Sequence, residues 1–414
     1  MLRTHTRPLH SHRRRGLTTP AVAVALLVVM GGLALILDRL WLDAADLELT
    51  TASESAALAA ARGLASDDLL RPNADPADRL QSAREAASWI AGQNLVAGDP
   101  VTVNSDSQGD VRLGRLILDE TKKDETKKQV RFEESDDNPT TAVVTARRSR
   151  ATSNPVGLFV SGLTGIPFGD VSSRVEATID NRIVGVRPFE GTSVPALPLA
   201  IWWKDSTGQR RDTWEQQIDA RRGADNYGFE ASGGQVYRGA DGIPEIVLRS
   251  QSRDQKSSQS NVLVLDIGTG LRNKELARQF ASGWTTDDLA DLDGEMRVTT
   301  SNPEKFAASP ELKHDDREAL ENLIGEPRIC LLYSDARPNS SNSLLQATCV
   351  RLVAIRVLAV RDSSDGSCEL IAQPCVFATR TALLDAQTPY QTGLTDKAST
   401  DSINPYIYKL QLTH

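Results

Sequence analysis

The chain has 414 residues, 47 Lys+Arg against 55 Asp+Glu, and a formal charge of −8, so it is long enough for two or three domains. Aromatics make up only 5% and no Lys/Arg-rich face with interleaved aromatics occurs, which excludes a nucleic-acid partner. Three of the five histidines stand in the first twelve residues and one is the last residue, so a His-rich metal centre is excluded by count.

In chain order, residues 1–16 form a basic tail ending in Arg13, Arg14, Arg15 and Gly16. Residues 17–37 carry no charge. At ~1.5 Å per residue their length matches the ~30 Å hydrocarbon core, which predicts one transmembrane helix. Arginines before the span and acids after it (Asp38, Asp43, Asp46, Glu48) predict a cytoplasmic N-terminus and an exported bulk. A cleaved secretory signal would have a shorter apolar core and a small-x-small site after it. Here Asp38, Arg39, Leu40 and Trp41 follow the core. Gly16 stands where a prepilin-type signal would be cut, but Ala21 occupies the position where that class prefers glutamate.

The expected fold class is α+β: the transmembrane helix continues into a helical stalk over 38–95, and a mainly β exported region follows. Within the stalk, Leu40, Ala44, Leu47 and Leu58 recur near helical spacing, and Ala52, Ala56 and Ala60 lie in an alanine-dense segment. Asp75-Pro76 marks the start of a second helix, running to about Ala91-Gly92. Two β-rich exported domains are expected, 96–203 and 204–414. Segments 101–103, 111–118, 142–146 and 174–179 read as strands, and Val175, Ala177 and Ile179 share one face. The pentad Asp-Glu-Thr-Lys-Lys occurs twice in tandem between Asp119 and Lys128 and reads as a solvated loop. In the second domain, 262–267, 329–333, 348–360 and 369–379 read as strands. One helix near 310–324 is expected, capped by Ser309 with Pro310 in the first turn and ended by Gly325 and Pro327.

All four cysteines, Cys330, Cys349, Cys368 and Cys375, fall in the last 85 residues. In an exported domain this suggests one or two disulfides, with free buried thiols as the alternative. Zinc is disfavoured, since no C-x2-C pair and no nearby histidine exists. Catalytic signals are sparse. His314 reads as a surface residue and no G-x-S-x-G elbow occurs. The strand 262–267 runs into Gly268-Thr269-Gly270, which invites comparison with a phosphate loop. The third loop glycine is missing, and a tight turn explains the pattern. Asp362 to Ser367 likewise reads as a polar turn. No cofactor and no catalytic role are expected.

The N-terminal block resembles the TadE/TadG-like proteins of tight-adherence (Flp-type) pilus assembly. Arg13 to Gly16 supply the basic start, Asp38 the aspartate at the exit of the span, and Thr50 to Ala61 (TTASESAALAAA) the alanine-rich helix. The segments 183–188, 194–200, 353–360 and 372–374 look faintly like pieces of larger TadG-type proteins. The departures are Thr50 and Thr51 for Gln-Asn, Glu54 for Asp, and no glycine after Asp38. The resemblance implies a non-catalytic, minor-pilin-like component of an envelope assembly in the inner membrane, with its bulk in the periplasm. Its partners would be other pilus-assembly or envelope proteins. The small residues Gly31, Gly32, Ala52, Ala56 and Ala60 would permit a helix-mediated oligomer, with the alternative that the alanines simply favour helix. The alternative is a single-span envelope sensor or adhesin whose exported domain binds a ligand.

Overall fold

The computed structural model describes residues 18–118, 130–189, 191–231, 233–250, 260–312, 314–338, 344–362, 368–385 and 403–413. The architecture is α+β: one long N-terminal helix and a mainly β remainder. Arg13, Arg14, Arg15, Gly16, the tandem pentad, most of the Ser/Gln-rich stretch after Ser250, and Ser363 to Ser367 lie outside the described residues.

Helix α1 spans Thr18–Leu64 without a break, 47 residues. Pro20 sits in its first turn, where its missing N–H costs nothing, and strong helix formers continue past Asp38. Helix α2 spans Pro76–Gly92, and its start is capped as the sequence indicates: Asp75 Oδ1 accepts from the Ala77 amide at 2.9 Å. The two helices touch almost backbone to backbone. A Cβ added at Gly63 would stand 2.9 Å from the Ala83 Cα.

The chain divides into two compact units. The first gathers residues 1–53, 91–102 and 145–174. In it, Leu95–Val96 pairs with Asp99–Pro100, and Val156–Gly157 pairs with Phe168–Gly169. Arg148 is buried there; its guanidinium donates to the Val96 carbonyl and to Asp99 Oδ2 at 2.7 Å.

The second unit gathers 54–90, 103–144 and 175–414 and holds the main core. Its strands Ala196–Trp202, Val262–Leu265, Glu304–Ser309, Leu345–Asp362 and Pro327–Pro338 pair in that order. Pro327–Pro338 returns in parallel to Ala196–Trp202, which closes the ring and leaves these strands no free edge. The far end of Leu345–Asp362 pairs with Cys368–Pro374, which in turn pairs with Ile246–Arg249. A six-stranded sheet runs Phe377–Thr379, Ile407–Thr413, Val171–Asp180, Thr141–Arg148, Val111–Leu118, Val130–Glu134. Because Lys409 faces Asp180 in it, the sheet draws strands from both sides of the expected 203/204 boundary.

The expected helix near 310–324 is shorter, His314–Glu321. Ser309 does not cap it but ends the strand Glu304–Ser309, whose Phe306 and Ala308 point inward. Alternation of these two small and aromatic side chains won over the capping pattern of Ser309-Pro310. Val101 and Val103 are buried but belong to no strand. A helix Asn273–Ser282, with Leu276 and Phe280 buried one turn apart, was not expected.

Candidate functional site: the helix that leaves the apolar span

Helix α1 is long and apolar enough to cross a membrane. From Val22 to Leu37 its large side chains, among them Leu26, Val28, Met30, Leu33 and Ile36, are exposed on all sides. An all-round apolar helix has no preferred protein face and suits hydrocarbon. Gly31 and Gly32 have nothing within 4 Å of where a Cβ would stand, so this part of the helix surface is open.

Beyond Asp38 the same helix becomes one-sided. Ala45, Leu49, Ala52, Ala56, Ala60 and Leu64 are buried, at intervals of three or four residues, while Leu47 is exposed. The buried positions are mostly alanine, which permits close approach of the packing neighbours, as at Gly63 and Ala83. This corrects the role expected of Ala52, Ala56 and Ala60. They are covered by the protein's own fold and are not free to receive a neighbouring copy.

Asp38, expected only as a boundary marker, is 5% exposed. Its Oδ1 accepts from the amides of Phe159 at 2.9 Å and Val160 at 3.2 Å, while Oδ2 is buried without a partner. One turn further, Trp41 Nε1 donates to the Gly157 carbonyl at 3.1 Å, and its ring lies 4.8 Å from that of Phe159. Leu42 fills the space a Cβ would take at Gly169. The end of the apolar span thus holds a hairpin, 157–168, whose tip is the single helical turn Ser161–Thr164 closed by Gly165 in a left-handed conformation. Periodicity could not find this hairpin. A different signal could have: Ala151 to Gly169 contains no charged residue, in a chain that is 25% charged.

The residues considered for chemistry are elsewhere and occupied. Asp266 Oδ1 accepts from the amides of Thr269 at 3.0 Å and Gly270 at 2.7 Å, so the turn spends its donors on its own aspartate. The strand leading into it pairs antiparallel with both neighbours, unlike the parallel units that carry phosphate loops. His314 is the first residue of the helix His314–Glu321. Asp67, just past α1, accepts from the Arg356 guanidinium at 2.5 Å and from the Val376 amide at 2.7 Å. Arg356 also donates to the Gly325 carbonyl and stacks 3.6 Å over the Phe229 ring, so this buried ion pair joins five segments. Among the described residues no group of His, Cys, Asp and Glu could hold a metal ion.

Cys330, Cys349, Cys368 and Cys375 are buried and form no disulfide with one another, which corrects the expected disulfides. The sheet register keeps them apart. Cys330 faces Val353 while Cys349 faces Tyr333, a four-residue offset of about 13 Å along the strand. Cys375 bonds to the Ala354 carbonyl on the other side of the strand Leu345–Asp362, two strand spacings or about 9–10 Å from Cys330. A disulfide needs Cα atoms within about 7 Å. Burial pushes the thiols of Cys330, Cys349 and Cys375 far above their ordinary range, so they carry almost no reactive thiolate. No family model, curated protein or solved structure matches this chain.

Proposed function

We propose that the chain is a non-catalytic, single-span component of a tight-adherence pilus or a related envelope assembly. It sits in the inner membrane with its N-terminus in the cytoplasm and its bulk in the periplasm. The observation that carries this reading is the continuity of α1. One unbroken helix is lipid-like over its first half and packed into the protein over its second. An anchor built this way runs without a break from the apolar span into the exported chain, which suits a part that must meet other membrane-bound parts. The resemblance of residues 13–61 to TadE/TadG-like proteins supplies the kind of assembly. With Ala52, Ala56 and Ala60 already covered, contact between helices in the bilayer falls to the open surface around Gly31 and Gly32.

Affinity isolation of the full chain from cross-linked native membranes tests the reading. It predicts recovery of a secretion ATPase, a pilin or other tight-adherence components. Recovery of a sensor kinase or a transporter in their place would contradict it and favour an envelope sensor.

A further inference from the structure

We propose that the hairpin 157–168 is a second membrane contact, lying in the lipid headgroup region beside the exit of α1 with Phe159, Ile166 and Phe168 against lipid. The proposal rests on the reading of α1 as a membrane span and adds to it.

Exposure is the first argument. Phe159 is 69% exposed, Ile166 52% and Phe168 42%, all within ten residues. The stretch around them, Ala151 to Gly169, is free of charge. Clustered exposed apolar side chains without charge are unfavourable in water and mark a surface that meets something apolar.

Height along α1 is the second. Asp38 holds the Phe159 and Val160 amides, and Trp41 holds the Gly157 carbonyl, so the hairpin is fixed at the level where the uncharged span ends. It is the level at which aromatic side chains gather at membrane surfaces. Ala34 shows that protein reaches lower still. Ala21, Ala23 and Ala25 on the same helix are exposed, but Ala34 is buried, four residues or about 6 Å inside the span. Interfacial segments bury their apolar face about 5–10 Å deep.

The backbone is the third. Lipid offers no hydrogen bonds, so chain entering it must satisfy its own. Leu158 N donates to the Pro167 carbonyl, Phe159 N and Val160 N to Asp38, Thr164 N to the Val160 carbonyl, Gly165 N to the Ser161 carbonyl and Ile166 N to Thr164 Oγ1. Pro167 has no amide to satisfy. The occupant is lipid rather than a protein, because Asp38 and Trp41 hold the uncharged hairpin at the end of the segment whose large apolar side chains are exposed all round.

The test is nitroxide accessibility on the full chain in phosphatidylcholine/phosphatidylglycerol vesicles, with single labels at Val28→Cys, Asp46→Cys, Phe159→Cys and Ile166→Cys. The four native thiols are buried, and the unsubstituted chain gives their background. Val28 reports the span and Asp46, exposed above the exit, reports water. The proposal predicts an oxygen-to-nickel-chelate accessibility ratio at both Phe159 and Ile166 several-fold above that at Asp46, approaching that at Val28. Labels at both hairpin positions matching Asp46, with Val28 still in lipid, would overturn the hairpin contact and leave the anchor standing. A label at Val28 as accessible to the chelate as Asp46 would overturn the anchor and the hairpin contact together.

Discussion

The two halves of α1 have the same backbone and opposite surroundings. From Val22 to Leu37 every large side chain is exposed, and the first covered position is Ala34, near the exit. From Ala45 to Leu64 a broad stripe of mostly small residues is buried, Ser53, Ala57 and Ala61 included, and much of the remaining surface is half-buried. The difference teaches that length and helix propensity make the rod, whereas side-chain size decides what solvates it. Leu, Val and Ile suit hydrocarbon, where bulk costs nothing; alanine suits a close protein contact, where bulk has no room.

Substitutions on the two halves should therefore have unequal effects on the fold. The largest is expected at the end of the protein-packed half. Asp67→Ala strands the Arg356 guanidinium, whose side chain is buried against Phe229. Removing one partner of such a pair costs about 3–5 kcal/mol. Urea unfolding followed by the fluorescence of the buried Trp214 and Trp284 should show that loss, and an unchanged midpoint would break the account of this end of the helix.

Overpacking comes next. Ala56→Leu inserts bulk where no space exists and should cost about 1–3 kcal/mol. Gly32→Leu, where nothing stands within 4 Å, should leave the same unfolding midpoint in place. Equal destabilisation by both would erase the contrast between the halves.

Thiol chemistry sharpens it without touching stability. A cysteine at the exposed Leu47 should alkylate at once in the native protein, while Cys330, Cys349, Cys368 and Cys375 alkylate only after unfolding. Intact mass without reductant should equal that of the fully reduced chain. A mass deficit would show that the cysteines are oxidised after all.

The smallest effect is on pH dependence, which must come from the folded side because residues 17–37 contain no titratable group. Burial raises the Glu245 carboxyl above its ordinary 4.5, helped by Asp225 and Asp241 and opposed by the Tyr227 and Asn226 amides that donate to it. The folded state thus binds the proton more tightly than the unfolded state. This contribution to stability is complete below pH 4.5 and is lost as pH rises through the raised value. Glu245→Gln, which cannot ionise, should flatten that part of the stability profile. A profile identical to that of the parent chain would remove Glu245 from the explanation.

Much of the helical frame was legible because its signals are local. The uncharged span, the Asp75-Pro76 start of α2 and the inward faces of Val175, Ala177 and Ile179 are all where the sequence puts them. Non-local pairing hid the rest. Ile407–Thr413 becomes a strand by lying against Val171–Asp180, and Glu304–Ser309 by lying against Leu345–Asp362. At the site, the small-residue helix was legible but the partner of its alanines was not, since composition cannot tell a neighbour in the same chain from one in another. The importance of Asp38 was half legible. Its place at the end of the span is plain in the sequence, but its hydrogen bonds run to a hairpin more than a hundred residues away.

The central claim is that α1 is one helix shared between two solvents, and a nitroxide scan from Val22 to Leu64 in bilayers tests it most directly. The account predicts high oxygen accessibility without periodicity from Val22 to Met30, with Ala34 the first covered position. From Ala45 onward it predicts a helical period, with immobile minima at Ala45, Leu49, Ala52, Ala56 and Ala60. A helical period with a water-accessible face already present between Val22 and Met30, or a flat, mobile profile from Ala45 to Leu64, would contradict it.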